Sequence, residues 1–148
     1  MLNVAVVGMG WWGQTLVTLI KKSSKLRVVK GMKRNPATAA DFARAQEMEI
    51  VSDYAQVLKD PSVQGVVLCT PHTLHTEQII AAAEAGKHVF CEKPLSMTRA
   101  DVLRAIAAVN ANKVALAVGH ERRFEPPMLD LMRTIKSGEL GTPLQIEA

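Results

Sequence analysis

The feature that most constrains the fold is the stretch 2–13, LNVAVVGMGWWG, in which a short apolar run ends in three spaced glycines. Residues 4–7 are a continuous, mostly β-branched run without polar alternation, the pattern of a strand covered on both faces. Gly8, Gly10 and Gly13 then fit G-x-G-x-x-G. In that pattern the first glycine permits a tight turn, the second lets a pyrophosphate approach the backbone, and the third lets the next helix pack on the strand. The helix is expected to carry Leu16, Leu19 and Ile20 on one face, with its free amides aimed where an anion would sit. Spaced glycines also occur as plain structural turns. Their place between a buried strand and a helix favours a nucleotide site.

Strand and helix patterns alternate from end to end, which predicts an α/β fold: a doubly wound, mainly parallel sheet with helices on both faces. Strands are expected at 26–32, 49–51, 66–69, 88–91 and 114–118. Asn35-Pro36 reads as a cap followed by proline at the first helical position, opening a helix that buries Phe42. Ser52 or Asp53 caps a short helix, and a longer one runs over 73–85 until Gly86 stops it. Thr98-Arg99-Ala100-Asp101 has capping-box spacing, and the helix it opens presents Val102, Ile106 and Val109. Pro126-Pro127 introduce a last helix with Met128, Leu129, Met132 and Ile135 on one face. Residues 144–148 alternate like a new strand without a partner in their own segment. The expected division is therefore 1–120 as one nucleotide-binding domain, with 121–148 a closing helix and the start of a second, absent domain. Exposed apolar faces and a lone strand would then favour self-association.

The net charge of +4 and pI near 9.3 invite an anionic partner, but the Lys and Arg residues are scattered and not interleaved with aromatics. Solvated surface charge is the expectation, and nucleic-acid binding is not. No apolar run approaches the ~18 residues of a membrane span, so a cytoplasmic protein without a membrane partner is expected. Cys69 and Cys91 lack metal-ligand spacing and read as buried free thiols; no metal site is expected.

About 20 residues beyond the glycines, dinucleotide-binding folds place an acidic residue for the ribose hydroxyls or a basic one for a 2′-phosphate. Lys33 and Arg34 stand there, which favours NADP over NAD because an arginine fork pairs with phosphate. The alternative is ordinary surface charge. Thr70-Pro71 follow a central strand on the side where open parallel sheets bind ligands, and Thr70 offers a hydroxyl near the expected nicotinamide. His72 and His75 read as cap or cofactor contacts, a metal pair being the less favoured reading. In Glu92-Lys93-Pro94, Lys93 can donate to a substrate oxygen while Glu92 holds its ammonium, because Lys93 falls on the same sheet edge as Gly8, Thr70 and Gly119. Arg122 or Arg123 could reach a phosphate, a carboxamide or a substrate hydroxyl, or form a salt bridge. Trp11 and Trp12 lie inside the glycine loop, where core packing competes with covering the dinucleotide.

The stretches VAVVGMGWWG, VVLCTPHTLHTEQIIAAAEAGKHVFCEKPLSMT and VGHERRFEP closely resemble the Gfo/Idh/MocA oxidoreductases, the family of glucose-fructose oxidoreductase and inositol dehydrogenase. The run AGKHVFCEKP is far more specific than the glycine loop. The resemblance implies an amino-terminal Rossmann domain that binds NADP or NAD, Lys93 as the active-site lysine, and a cis Lys93-Pro94 peptide. It implies that Gly8, Gly10, Trp11, Trp12, Gly13, Thr70, Pro71, His75 and Glu92 line the cofactor, with Arg122 or Arg123 near it. It further implies a sugar- or cyclitol-like substrate, a homo-oligomer in the full-length enzyme, and a second domain that supplies the general base. The expected activity is hydride transfer between nicotinamide and a secondary alcohol or ketone, with little turnover by these 148 residues alone. The competing expectation is a non-catalytic dinucleotide-sensing or partner-binding module.

Overall fold

The computed structural model describes residues 1–145 and 147. Among them, six strands form one parallel sheet in the order β3-β2-β1-β4-β5-β6. The strands are β1 Leu2–Val7, β2 Leu26–Met32, β3 Glu49–Val51, β4 Gly65–Leu68, β5 His88–Glu92 and β6 Leu116–Gly119. The order reverses between β1 and β4, and that switch point opens a crevice at the carboxyl ends of the strands.

Alternation along the strands sorts their side chains onto two faces. Ala5, Val7, Val66, Leu68 and Cys91 join one core with Val57, Ile79, Ala82, Ala83, Ala105 and Val109. These come from the helices α3 Tyr54–Lys59, α4 His75–Glu84 and α5 Arg99–Ala111. Val4, Val6 and Val67 meet Met9, Val17, Ala43 and Met48 on the opposite face, beneath α1 Trp11–Ile20 and α2 Ala40–Ala45. The α/β, doubly wound Rossmann expectation therefore holds, and every observed pairing is parallel.

Local details depart from the sequence pattern where burial is decided by neighbours. On α1 the sheet-facing residues are Gly13 and Val17, flanked by Leu16 and Ile20, whereas Leu19 is exposed. On α5, Ala105 and Val109 are buried and Ile106 is exposed, because small alanines let α5 approach closely. Pro36 starts a 3-10 turn, Pro36–Ala39, before α2, and Asn35 makes no side-chain cap; Phe42 is only partly buried. Asp53 caps α3 as expected, accepting from the Ala55 amide at 3.0 Å. Gly86 stops α4 region with φ +70°.

Two lysines depart from the surface-charge expectation. Lys30 is buried between Asp60 at 2.7 Å and Glu49 at 2.9 Å. The buried Lys87 donates to the carbonyls of Asp60 at 2.8 Å and Val63 at 2.6 Å.

The last helix, α6 Pro126–Ser137, leaves Met128, Leu129 and Met132 exposed, with Ile135 half-buried. Of the expected terminal strand, Leu144 and Gln145 are in no strand, and Ile146 and Ala148 lie outside the described residues.

Candidate functional site

Two of the three glycines of the first turn are required by the backbone around them, and the third stands in open space. Gly8 has φ +96°, and a Cβ there would lie 2.5 Å from the Cys69 carbonyl oxygen. Its amide and that of Met9 donate to the Met32 carbonyl at 3.0 and 3.2 Å, pinning the loop to the end of β2. At Gly13 a Cβ would sit on the Gly8 carbonyl oxygen. Gly10, by contrast, would place its Cβ in open space, with nothing within 4 Å.

That open space faces the start of α1. No side chain caps the helix and its first turn carries no acidic residue. The first helical amides, those of Trp11, Trp12 and Gly13, have no carbonyl one turn earlier to bond, and they carry the partial positive charge of the helix end. The residues present thus fit a pyrophosphate: a bare backbone cradle, unoccupied by any protein carboxylate, at the switch point of the sheet.

From this cradle a cleft extends in two directions. One end, about 620 Å³, is lined by Gly8, Gly10, Lys33, Arg34, Pro71 and Gln78 among others, none of them Asp or Glu. The other, about 410 Å³, is lined by Trp11, Trp12, His72, Glu92, Lys93 and Glu121. Cys69 and Thr70 line both. Two candidate groups far apart in sequence, the basic pair after β2 and the lysine after β5, therefore line two cavities that meet at Cys69 and Thr70.

At the lysine end the geometry corrects the role expected of Glu92. Its Oε1 accepts from Trp12 Nε1 at 2.7 Å and its Oε2 from the Lys93 backbone amide at 3.2 Å. Glu92 is buried and fixes the Lys93 backbone and the indole, not the Lys93 ammonium, which is exposed toward the cleft. Gly119, paired with Glu92 across β5 and β6, leaves room for that carboxylate; a Cβ there would stand 2.8 Å from Oε1. Lys93-Pro94 is cis. Trp12 is half-buried and Trp11 is 80% exposed, tilted against it with centroids 5.5 Å apart. Neither tryptophan packs in the core.

The Thr70 hydroxyl donates to Gln78 Oε1 at 2.5 Å. Gln78, which the sequence did not single out, also lines the basic end. His75, expected as a cap or cofactor contact, is fully buried, with Nδ1 2.9 Å from the Pro94 carbonyl and Nε2 3.0 Å from that of Thr70. The signal was present, since His75, Ile79, Ala82 and Ala83 share one helical stripe, the core-facing one. His72 remains exposed at the lysine end.

The short turn Glu121–Phe124 delivers Glu121, not an arginine, to the cleft. Arg123 lines a separate cavity against α6, and Arg122 is exposed outside both ends of the cleft. Burial, then the nearby Glu92 and Cys91, push the Cys69 thiol up to about 12. Burial, then Glu92, do the same to Cys91. Both are free thiols.

Residues 2–120 match the Gfo/Idh/MocA model, described as an oxidoreductase family with an NAD-binding Rossmann fold. The uncharacterized oxidoreductase YrbE of Bacillus subtilis is 34% identical over 139 residues, 93% of this chain and 41% of that protein. The scyllo-inositol 2-dehydrogenase (NAD(+)) of the same organism is 36% identical over 148 residues, covering 97% of this chain and 42% of the relative. A probable dehydrogenase from Thermotoga maritima superposes with a TM-score of 0.91 at 30% identity, over 96% of this chain and 43% of that one. At 22% identity, where likeness shows the fold alone, scyllo-inositol dehydrogenase from Lactobacillus casei with bound cofactor NAD(H) and scyllo-inositol superposes with a TM-score of 0.89. That match covers 95% of this chain and 42% of the other. The chain spans about two fifths of the length of these relatives.

Proposed function

The chain belongs to the Gfo/Idh/MocA oxidoreductase family, and on that premise we propose that it is the cofactor-holding domain of an NADP-preferring oxidoreductase. The substrate class in this reading is a sugar, cyclitol or related polyol, oxidised at a secondary alcohol or formed by reduction of the ketone. The observation that carries the reading is the pair of cavities beside the bare amides of α1, one lined by the basic pair and the other by the lysine, with Cys69 and Thr70 lining both.

Gly8, Gly10 and Gly13 with the first amides of α1 would hold the pyrophosphate, Lys33 and Arg34 a 2′-phosphate, and the Lys93 end the nicotinamide. When bound, that ring supplies or accepts hydride. Lys93 orients and polarises the substrate oxygen by donating a hydrogen bond from its ammonium. Glu92 holds the Lys93 backbone and Trp12 in place, and Trp11 and Trp12 exclude water from that end.

The preference for a 2′-phosphate rests on this chain's own residues, since the names of similar proteins point both ways: two state NAD(+) or NAD(H) and one, from Desulfitobacterium hafniense, is described as NADPH-dependent. A carboxylate suited to a ribose diol is missing from the lining of the basic end, and an arginine fork suits phosphate. The proton acceptor in this reading lies outside these 148 residues, which bind nucleotide with little or no turnover. A homo-oligomer and a cytoplasmic site are parts of the same proposal; among the described residues no helix is long and apolar enough to cross a membrane.

Isothermal titration tests the reading. NADPH should bind about tenfold or more tightly than NADH, a difference of about 1.4 kcal/mol, and Arg34→Ala should abolish the difference. No binding of either nucleotide, or a clear preference for NADH, overturns it.

A further inference from the structure

Two loops line the lysine end of the cleft: Thr70-Pro71 after β4 and Lys93-Pro94 after β5. They come from different strands, and one side chain joins them. His75, at the start of α4, is fully buried, with its two ring nitrogens 3.0 Å from the Thr70 carbonyl and 2.9 Å from the Pro94 carbonyl. Both partners are acceptors, so a neutral ring donates to whichever of them its tautomer faces, and only a doubly protonated ring donates to both. The adjoining Thr76, also buried, adds a second tie: its Oγ1 lies 2.7 Å from Ser96 Oγ in the same post-β5 loop.

The geometry points to His75 as a positioning residue that sets where Lys93 stands relative to the nicotinamide, with Thr76 as its partner. The inference rests on the nucleotide reading above and deepens it. An apolar side chain would fill the core stripe of Ile79, Ala82 and Ala83 as well as an imidazole does. Only a group with polar atoms on opposite edges spans two carbonyls of separate loops. Because Pro94 adjoins Lys93, and Lys93 lines the nicotinamide end and not the basic end, releasing the Pro94 carbonyl loosens the nicotinamide end first. The glycine cradle and the Lys33–Arg34 end are anchored elsewhere, through Met32 and Val51, and stay in place.

Saturation-transfer difference NMR with NADPH on the 148-residue chain reads the two ends separately. In the unmodified chain both adenine and nicotinamide protons should saturate. In His75→Asn the nicotinamide signal should fall about threefold or more relative to adenine, since ~1 Å of misplacement is enough to disrupt a positioned contact. Thr76→Val, nearly isosteric, should shift the same ratio in the same direction and carries the test if the histidine variant does not fold. An unchanged ratio in a folded variant, or an equal loss at both ends, overturns the inference. Absence of all saturation in the unmodified chain sinks the nucleotide reading itself, a result distinct from an unchanged ratio.

Discussion

Replacing Gly10 by aspartate should move stability and nucleotide affinity in opposite directions. Gly10 is the N-cap of α1 with φ −78° and ψ −168°, an extended backbone open to any residue. Its Cβ would meet nothing within 4 Å, so the substitution brings no collision. Aspartate is a better N-cap than glycine by a few tenths of a kcal/mol, and its charge gains about 0.3–1 kcal/mol from the helix end. The sum, about 0.5–1 kcal/mol, should raise Tm by about 2–4 °C in a chain of this size.

The same carboxylate would occupy the place reserved for the pyrophosphate. Two unit charges 4 Å apart repel by about 1 kcal/mol in water and about 4 kcal/mol at an effective permittivity of 20. The cradle is open on one side, so a middle value of about 2.7 kcal/mol applies, about a hundredfold in Kd. Thermal unfolding by circular dichroism and isothermal titration with NADPH give the two numbers. Unaltered affinity, or a Tm lowered by several degrees, would refute the assignment of this helix end as the phosphate cradle.

Gly13→Ala should behave oppositely to a change at Gly10, because its methyl would collide with the Gly8 carbonyl; a loss of about 2 kcal/mol or more is expected by urea unfolding. Lys93→Ala should leave NADPH affinity within about threefold yet lower the rate by orders of magnitude when the domain is joined to a substrate-binding partner; no turnover in the unmodified protein, with a partner-binding output that Lys93→Ala leaves intact, supports a sensing module instead. The Asp60 carboxyl is held at about 2 by hydrogen bonds from Lys30 and then Ser62. Since the unfolded group titrates near 3.8, its stabilisation is complete above that pH and is lost as pH falls toward 2. The contribution, about 1 kcal/mol after solvent screening, should vanish from the acid limb of the unfolding curve in Asp60→Asn. Cys69, with its thiol at about 12, should alkylate with iodoacetamide at pH 8 far more slowly than a free cysteine; rapid labelling of the folded chain contradicts its placement.

The parts of this fold that are governed by local chemistry were readable from the sequence. The β-branched runs marked the strands, Asp53 and Gly86 marked helix boundaries, and the glycines marked the turn from β1 into α1, because each depends on neighbours a few residues away. What escaped depends on distant partners. Glu92 turns to Trp12, 80 positions away, and no spacing rule connects them. Lys30 reads as surface charge until α3 brings Asp60 against it. Ile106 loses its expected burial to Ala105 because the sheet-facing angle of α5 is set by close packing. His75 was read for its chemistry, and its place on the apolar stripe of α4 was the better guide. No sign in the sequence announced that the turn of four residues after β6 brings Glu121 to the cleft.

The most direct test is a crystal structure of the chain grown with NADPH. The pyrophosphate should lie on the amides of Trp11 and Trp12, the 2′-phosphate against Arg34, and the nicotinamide beside the Lys93 ammonium. A nucleotide bound end for end in the cleft, or at any other surface, would contradict this placement.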